Sequence, residues 1–203
     1  MDSLNWEDEP DLYELRRLHA LLLKNPPHAL VGLERLAERG SLASALYLAD
    51  FYMKDGCSSY ADASKARYWY SKAHDKGHPP ASHMLGRIYS KSRQYDLAFA
   101  AFSKGAEKGY APAIYRLAKM YRVGEGAPQD ISEYRRLLEM ARSKRHIFAK
   151  RDLAGLLLTG RFGLAQALRG AMMLLSLWSD VAFLVGKTIK GESIFEFDER
   201  VLA

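Results

Sequence analysis

Three groups of residues in this chain have types and spacings that invite chemistry. They are a lone cysteine, a run of histidines and a set of basic and aromatic residues. Cys57 stands in Gly56-Cys57-Ser58-Ser59 and has no CxxC companion. A thiol in a loop is a nucleophile only where a base reaches it, and a single cysteine excludes an internal disulfide framework. His74, His78 and His83 are separated by four and five residues. The first two share a helix face only if the helix runs through Gly77, and Gly77 with Pro79-Pro80 ends it. Zinc takes four well-placed ligands, or three and a water. These histidines are therefore read as capping and surface residues, and no metal is expected. No Gly-rich loop leads into Lys-Ser or Lys-Thr, and Gly124-Glu125-Gly126 reads as a turn between helices. No catalytic residue, no cofactor and no enzyme activity is expected.

The basic and aromatic residues do form a pattern. Around four apolar anchors, Leu48, Leu85, Leu117 and Leu153, the positions at i−2, i+2 and i+5 make one helical stripe, being mutually i, i+4 and i+7. The stripe reads Leu46, Asp50, Met53; His83, Arg87, Ser90; Tyr115, Lys119, Arg122; and Arg151, Gly155, Leu158, with Arg116 beside the third set. It is apolar and acidic at first, then basic and aromatic. Arginine holds a carboxylate by two parallel hydrogen bonds, and tyrosine adds a flat face with a polar tip. The chemistry is recognition of an acidic or extended segment. The candidate binding residues are Asp50, His83, Arg87, Tyr115, Arg116, Lys119, Arg122 and Arg151. A second basic cluster is Arg142, Lys144, Arg145 and Lys150, with His146 and Arg151 in the same stretch. It suits phosphates of nucleic acid or lipid. Only Phe148 is interleaved for base stacking, and basic residues also suit a helix C-terminus, so nucleic acid is not the favoured partner.

The elements that position these residues repeat. Ser44, Leu48, Ala49, Tyr52; Ala81, Leu85, Gly86, Tyr89; Ala113, Leu117, Ala118, Tyr121; and Ala149, Leu153, Ala154, Leu157 share one helix face at i, i+4, i+5 and i+8. The anchoring leucines step by 37, 32 and 36 residues, a period that marks a helical repeat array. First helices are expected at 42–54, 79–91, 111–123 and 146–159. Their partners are expected at 65–73, 94–108 and 130–144, closed by Gly77 and Gly109, with Arg145 where a third glycine is due. Asp130 and Glu133 have capping-box spacing. A first hairpin, its initial helix stopped at Asn25-Pro26-Pro27 and its second running over 28–39 to Gly40, reads as an N-terminal cap.

Ala-x3-Leu-Gly-x2-Tyr, a Gly-rich turn, Lys-Ala-x2-Trp-Tyr-x2-Ala and then Gly resembles the Sel-one-like repeat (SLR), a variant of the tetratricopeptide repeat. The resemblance is strongest over residues 40–124. Departures such as Ala49, Ala118 and Ala154 for Gly, Leu157 for Tyr, and Ala101 and Leu137 at the Trp69 position are small or apolar. It implies an all-α, right-handed superhelical solenoid of about five antiparallel hairpins. It also implies that the stripe above lines a concave groove. Proteins of this kind are commonly adaptors, including in bacterial envelope, polysaccharide and secretion systems.

The C-terminal third differs. Residues 170–186 carry one charge, Asp180, in an apolar run shorter than the roughly 20 residues of a membrane span. It reads as the last packed helix or as a contact with a second copy, self-associating through Met172, Met173, Leu174, Leu177 and Trp178, with membrane-peripheral contact as the alternative. The tail Ile194-Phe195-Glu196-Phe197-Asp198 alternates apolar and acidic residues. The expected division is 1–40 acidic segment and cap, 41–160 repeats, and 161–203 diverged C-terminal part. Residues 1–14 hold six acids and no Lys or Arg, so the rest, with 30 basic and 18 acidic side chains, carries +12, which suits an acidic partner. No secretory signal opens the chain, and a cytoplasmic location is expected. The expected function is a non-enzymatic protein–protein scaffold. The alternatives are a nucleic-acid-binding array or a membrane-peripheral adaptor held by 170–186.

Overall fold

The computed structural model describes residues 9–22, 24–53, 62–159 and 162–189, with backbone alone for 179–189. Among these residues there are ten α-helices and no strand, so the all-α repeat fold is observed. Cys57 and the tail at 194–198 lie outside the described residues. The chain divides into two compact units, residues 1–94 and 95–203. The boundary falls in the turn after the fifth helix and cuts across the division expected from the repeats.

The first unit holds α1 (Leu12–Leu22), α2 (Pro26–Glu38), α3 (Leu42–Met53), α4 (Ala63–Asp75) and α5 (Pro79–Lys91), each packed on the next. Pro26 and Pro27 do more than stop α1. They occupy the first turn of α2, where no backbone N–H is needed and the fixed φ of proline is already helical. Pro79 and Pro80 open α5 in the same way. Glu9, from the acidic N-terminal stretch, accepts a hydrogen bond from the Ala43 N–H at 2.9 Å and another from the Ser41 hydroxyl. A carboxylate is favourable at such a helix N-terminus.

The second unit holds α6 (Tyr95–Glu107), α7 (Ala111–Val123), α8 (Ile131–Ser143), α9 (Ile147–Leu158) and α10 (Leu164–Ile189), again packed in succession. The last differs from expectation. The apolar run at 170–186, read as the last packed helix, is part of a longer one that begins at Leu164. Gly170 lies inside this helix although glycine is a poor helix former. Its role is close approach: a Cβ there would meet the Ala154 carbonyl oxygen at 2.8 Å.

The repeat pattern is the core of both units. Ser44, Ala81, Ala113 and Ala149 are fully buried, and Leu48, Leu85, Leu117 and Leu153 are buried beside them. Trp69, Ala101 and Leu137, at one position of the partner helices, are also buried. Each such leucine contributes about 1.5–3 kcal/mol of apolar burial. The backbone repeats as closely. Asp62, Gln94 and Asp130 each donate an N–H to the carbonyl of the pattern tyrosine before them, Tyr52, Tyr89 and Tyr121, at 2.9–3.0 Å.

Candidate interaction surface

The surface is built on the helix starts. Gly40, Gly77 and Gly109 end their helices with φ between +77° and +103°. In each case the glycine and the next residue donate N–H groups back into the last turn, satisfying carbonyls that the helix leaves free. Arg145 and His146 make the same two hydrogen bonds, Arg145 N–H to the Arg142 carbonyl and His146 N–H to that of Ala141, with Arg145 at φ +65°. The boundary that lacks its glycine therefore keeps the geometry and forces an arginine into it. The residue after each turn opens the next helix. Ser41 accepts from the Ser44 N–H through its hydroxyl. His78 and His146 accept through Nδ1 from Ala81 and Ala149, both at 3.2 Å. An imidazole that accepts at Nδ1 is neutral with its proton on Nε2. Burial pushes both rings down to about pH 4, with the Arg116 charge adding to the effect at His146.

His146 is fully buried and stacks on Tyr115 of α7, with ring centroids 4.6 Å apart. Tyr115 donates its hydroxyl to Asp152 Oδ2 at 2.9 Å. Asp152 is the hub of this face. Arg151 reaches its Oδ1 through Nε and Nη2 at 2.9 and 2.8 Å, and Lys119 Nζ lies 3.6 Å from Oδ2. With its side chain only 11% exposed, Asp152 sits inside the ring of cations rather than beside it. Burial alone raises a carboxyl, but the hydrogen bonds from Arg151 and Tyr115 hold Asp152 below its usual range. Burial and the same hydrogen bond push Tyr115 up to about 12. Burial lowers Lys119, against the pull of Asp152. Arg122 lies over the Tyr134 ring at 5.9 Å and Arg151 over Phe148 at 5.2 Å. Both guanidinium groups remain exposed. A single acid thus organises a face that stays net positive.

The expected stripe therefore falls in two parts. In the second unit, Tyr115, Lys119 and Arg151 converge through Asp152. Arg122 flanks them, and Arg116 is half-buried next to Tyr115. In the first unit, Asp50 accepts the Tyr70 hydroxyl and Arg87 is exposed. His83 is 1% exposed and presents nothing to a partner. Its place on the stripe followed from spacing, but the helix face at 83 turns into the core. The second cluster does not gather into one patch. Lys144 folds against Gly109, as Lys76 Nζ donates to the Gly40 carbonyl two repeats earlier. Arg145 serves the turn, Arg142 is half-buried and Lys150 lies in the first turn of α9. Of the self-association residues, Met173 is buried within the chain's own fold, Leu177 is half-buried, and Met172, Leu174 and Trp178 are exposed. His74 Nδ1 pairs with Ser82 Oγ at 2.8 Å. Among the described residues no three His, Cys, Asp or Glu side chains converge as metal ligands, and no helix is long and apolar enough to cross a membrane.

Asp152 escaped the sequence reading because it stands one residue before an anchor, where the other repeats carry Tyr47, Met84 and Arg116. The capping role of His146 had a signal. It lies three residues before Ala149, as His78 lies before Ala81 and Ser41 before Ser44.

No family profile matches the sequence, and no curated protein matches it. Solved structures do match. A protective antigen of uropathogenic Escherichia coli displaying an SLR fold aligns over 96% of this chain and 44% of its own, with 21% identity and a TM-score of 0.74. The fold is that of the Sel1-like repeat. A Sel1 repeat protein from Oxalobacter formigenes aligns over 79% of this chain and 70% of its own, with 19% identity and a TM-score of 0.65. The chain thus spans less than half the length of the E. coli SLR protein. At 96% of the chain, the first of these alignments takes in α10, where the sequence pattern had faded.

Proposed function

We propose that this SLR chain is a non-enzymatic interaction scaffold whose second unit binds an acidic, extended protein segment on the α7–α9 face. The observation that carries the reading is the Asp152-centred cluster. Tyr115, Lys119 and Arg151 are held in place by one carboxylate, with Arg122 and Arg151 still facing water. Preorganised cations cost less side-chain entropy on binding than free ones, and a guanidinium pair is suited to incoming carboxylates. The positive balance of the chain beyond its first 14 residues favours such a partner. The resemblance to adaptors of bacterial envelope, polysaccharide and secretion systems supports the same class of function without choosing a partner.

The test is a pull-down from native lysate with wild type and with Lys119→Glu/Arg122→Glu/Arg151→Glu. Loss of the captured proteins from the variant supports the reading, and identical capture sinks it. The nucleic-acid reading rests on the 142–151 cluster and predicts capture that weakens steeply with salt and is abolished by Lys144→Glu/Arg145→Glu.

A further inference from the structure

Asp152 is not the only residue of α9 that departs from the repeat. Phe148 does so too, its counterparts being Ala43, Pro80 and Pro112. The two stand four residues apart and so share one helix face. Both meet Tyr115. Asp152 accepts its hydroxyl, and the Phe148 ring lies 6.4 Å from its ring at 31°. His146 joins the group, with centroids 4.6 Å from Tyr115 and 6.0 Å from Phe148. The fold does not call for a ring at 148, because α3, α5 and α7 form with alanine or proline at that position. Phe148 is half-buried, and the exposed Arg151 guanidinium lies 5.2 Å from its ring centroid. The cation cluster is thus bordered by an apolar aromatic surface.

We propose that the α7–α9 face selects acidic segments that also carry an aromatic side chain, and that Phe148 is the residue that reads that side chain. The inference rests on the reading of this face as a binder of acidic, extended segments. Charge fixes one half of the occupant. Lys119, Arg122 and Arg151 against Asp152 are three cations against one acid, a balance of +2. Arg151 holds Asp152 through Nε and Nη2, and Nη1 stands outside that contact. A guanidinium stacked on a ring directs its N–H groups outward in its own plane. A carboxylate that meets Arg151 therefore arrives beside Phe148. Spacing fixes the other half. Side chains of an extended segment alternate, so residues two apart face the same side about 7 Å apart. That places one side chain on the cations and the other on the aromatic surface. A ring is the side chain this surface favours, since aromatic pairs contribute beyond the area they bury and a ring has few rotors to immobilise.

The test is fluorescence anisotropy of three labelled peptides that carry Phe-Ser-Glu-Glu, Ala-Ser-Glu-Glu or Phe-Ser-Gln-Gln in one Gly/Ser frame. Each is titrated with wild type and with Phe148→Ala, which installs the residue that α3 carries at this position. Wild type is expected to bind the Phe-Ser-Glu-Glu peptide about fivefold or more tighter than the Ala-Ser-Glu-Glu peptide, as one aromatic pair allows. Phe148→Ala is expected to bind those two equally. The Phe-Ser-Gln-Gln peptide is expected to bind neither protein. Equal affinity of wild type for the first two peptides overturns the inference and leaves the acidic reading of the face standing. A preference for the ring that persists in Phe148→Ala also overturns it, because the ring is then read elsewhere. Should Phe148→Ala unfold, Phe148→Leu must still reduce the preference, and an undiminished one overturns the inference. Binding of none of the peptides, or equal binding of the Phe-Ser-Gln-Gln peptide, overturns the reading of the face and this inference with it.

Discussion

The boundary at Gly77–His78 and the boundary at Arg145–His146 are the same structure twice. Each ends a helix with a left-handed residue, returns two N–H groups to the last turn and starts the next helix on a histidine Nδ1. They differ in what the histidine touches. His146 stacks on Tyr115, Tyr115 donates to Asp152, and Asp152 holds Lys119 and Arg151. His78 has no counterpart of Asp152 beyond it, since Met84 and Arg116 stand at that position in the two preceding repeats. The comparison separates two layers of information. Backbone turns and caps recur with the repeat and make the fold. A single acid outside the recurrence gathers a tyrosine and two cations at one boundary.

The largest expected effect tests the shared layer. Both histidines are neutral in the fold with pKa values near 4, whereas an unfolded histidine titrates near 6.5. Their folded values are lowered, so the unfolded chain binds protons first as pH falls. Stability is fully present above about pH 6.5 and is lost as pH drops toward 4, by on the order of 3 kcal/mol per histidine. Melting of wild type and His78→Ser/His146→Ser through this window checks it. Serine already caps α3 in this chain and does not titrate. The double variant should therefore show a much flatter pH dependence, and an unchanged slope would place the sensitivity elsewhere.

The next effect tests the layer that differs. Asp152→Ala removes the acceptor of the buried Tyr115 hydroxyl and the anchor of two cations. A lost hydrogen bond to a charged group costs about 1.5–3 kcal/mol, and amide exchange in α9 should rise. The same kind of substitution at Met84, Met84→Ala, removes no polar partner of that kind. Equal rises in α5 and α9 would erase the distinction between the two boundaries.

The smallest effect concerns the turns. A left-handed conformation costs a non-glycine residue about 1–2 kcal/mol. Arg145→Gly should therefore stabilise the second unit by roughly 1 kcal/mol, and Gly77→Ala should destabilise the first by a similar amount. Denaturant unfolding reads both. A destabilising Arg145→Gly would mean that the arginine side chain contributes more than its backbone strain costs.

Much of this architecture was legible because burial is periodic. Leu48, Leu85, Leu117 and Leu153 announce themselves by spacing, and the helices at 79–91 and 111–123 end where the pattern does. The reason for Gly170 inside α10 was not legible, because the carbonyl that passes close to it belongs to another helix. Pro26-Pro27 could be read both as a stop and as a start, and it is a start. His83 shows the limit of a stripe defined by one angle: Arg87, one turn on, is exposed while His83 is buried. Asp152 was hidden for the opposite reason, since a residue with no counterpart in other repeats has no pattern to expose it.

The central claim is that the α7–α9 face binds carboxylates with the cations that Asp152 arranges. Its most direct measurement is fluorescence anisotropy of a labelled Asp/Glu-rich peptide titrated with wild type, with Arg122→Glu/Arg151→Glu and with Arg142→Glu/Lys150→Glu. The account predicts saturable binding by wild type, loss of at least about tenfold in affinity for the first variant, each charge-assisted bond being worth about 1.5–3 kcal/mol, and little change for the second. Equal weakening in both variants, or none in the first, would contradict it.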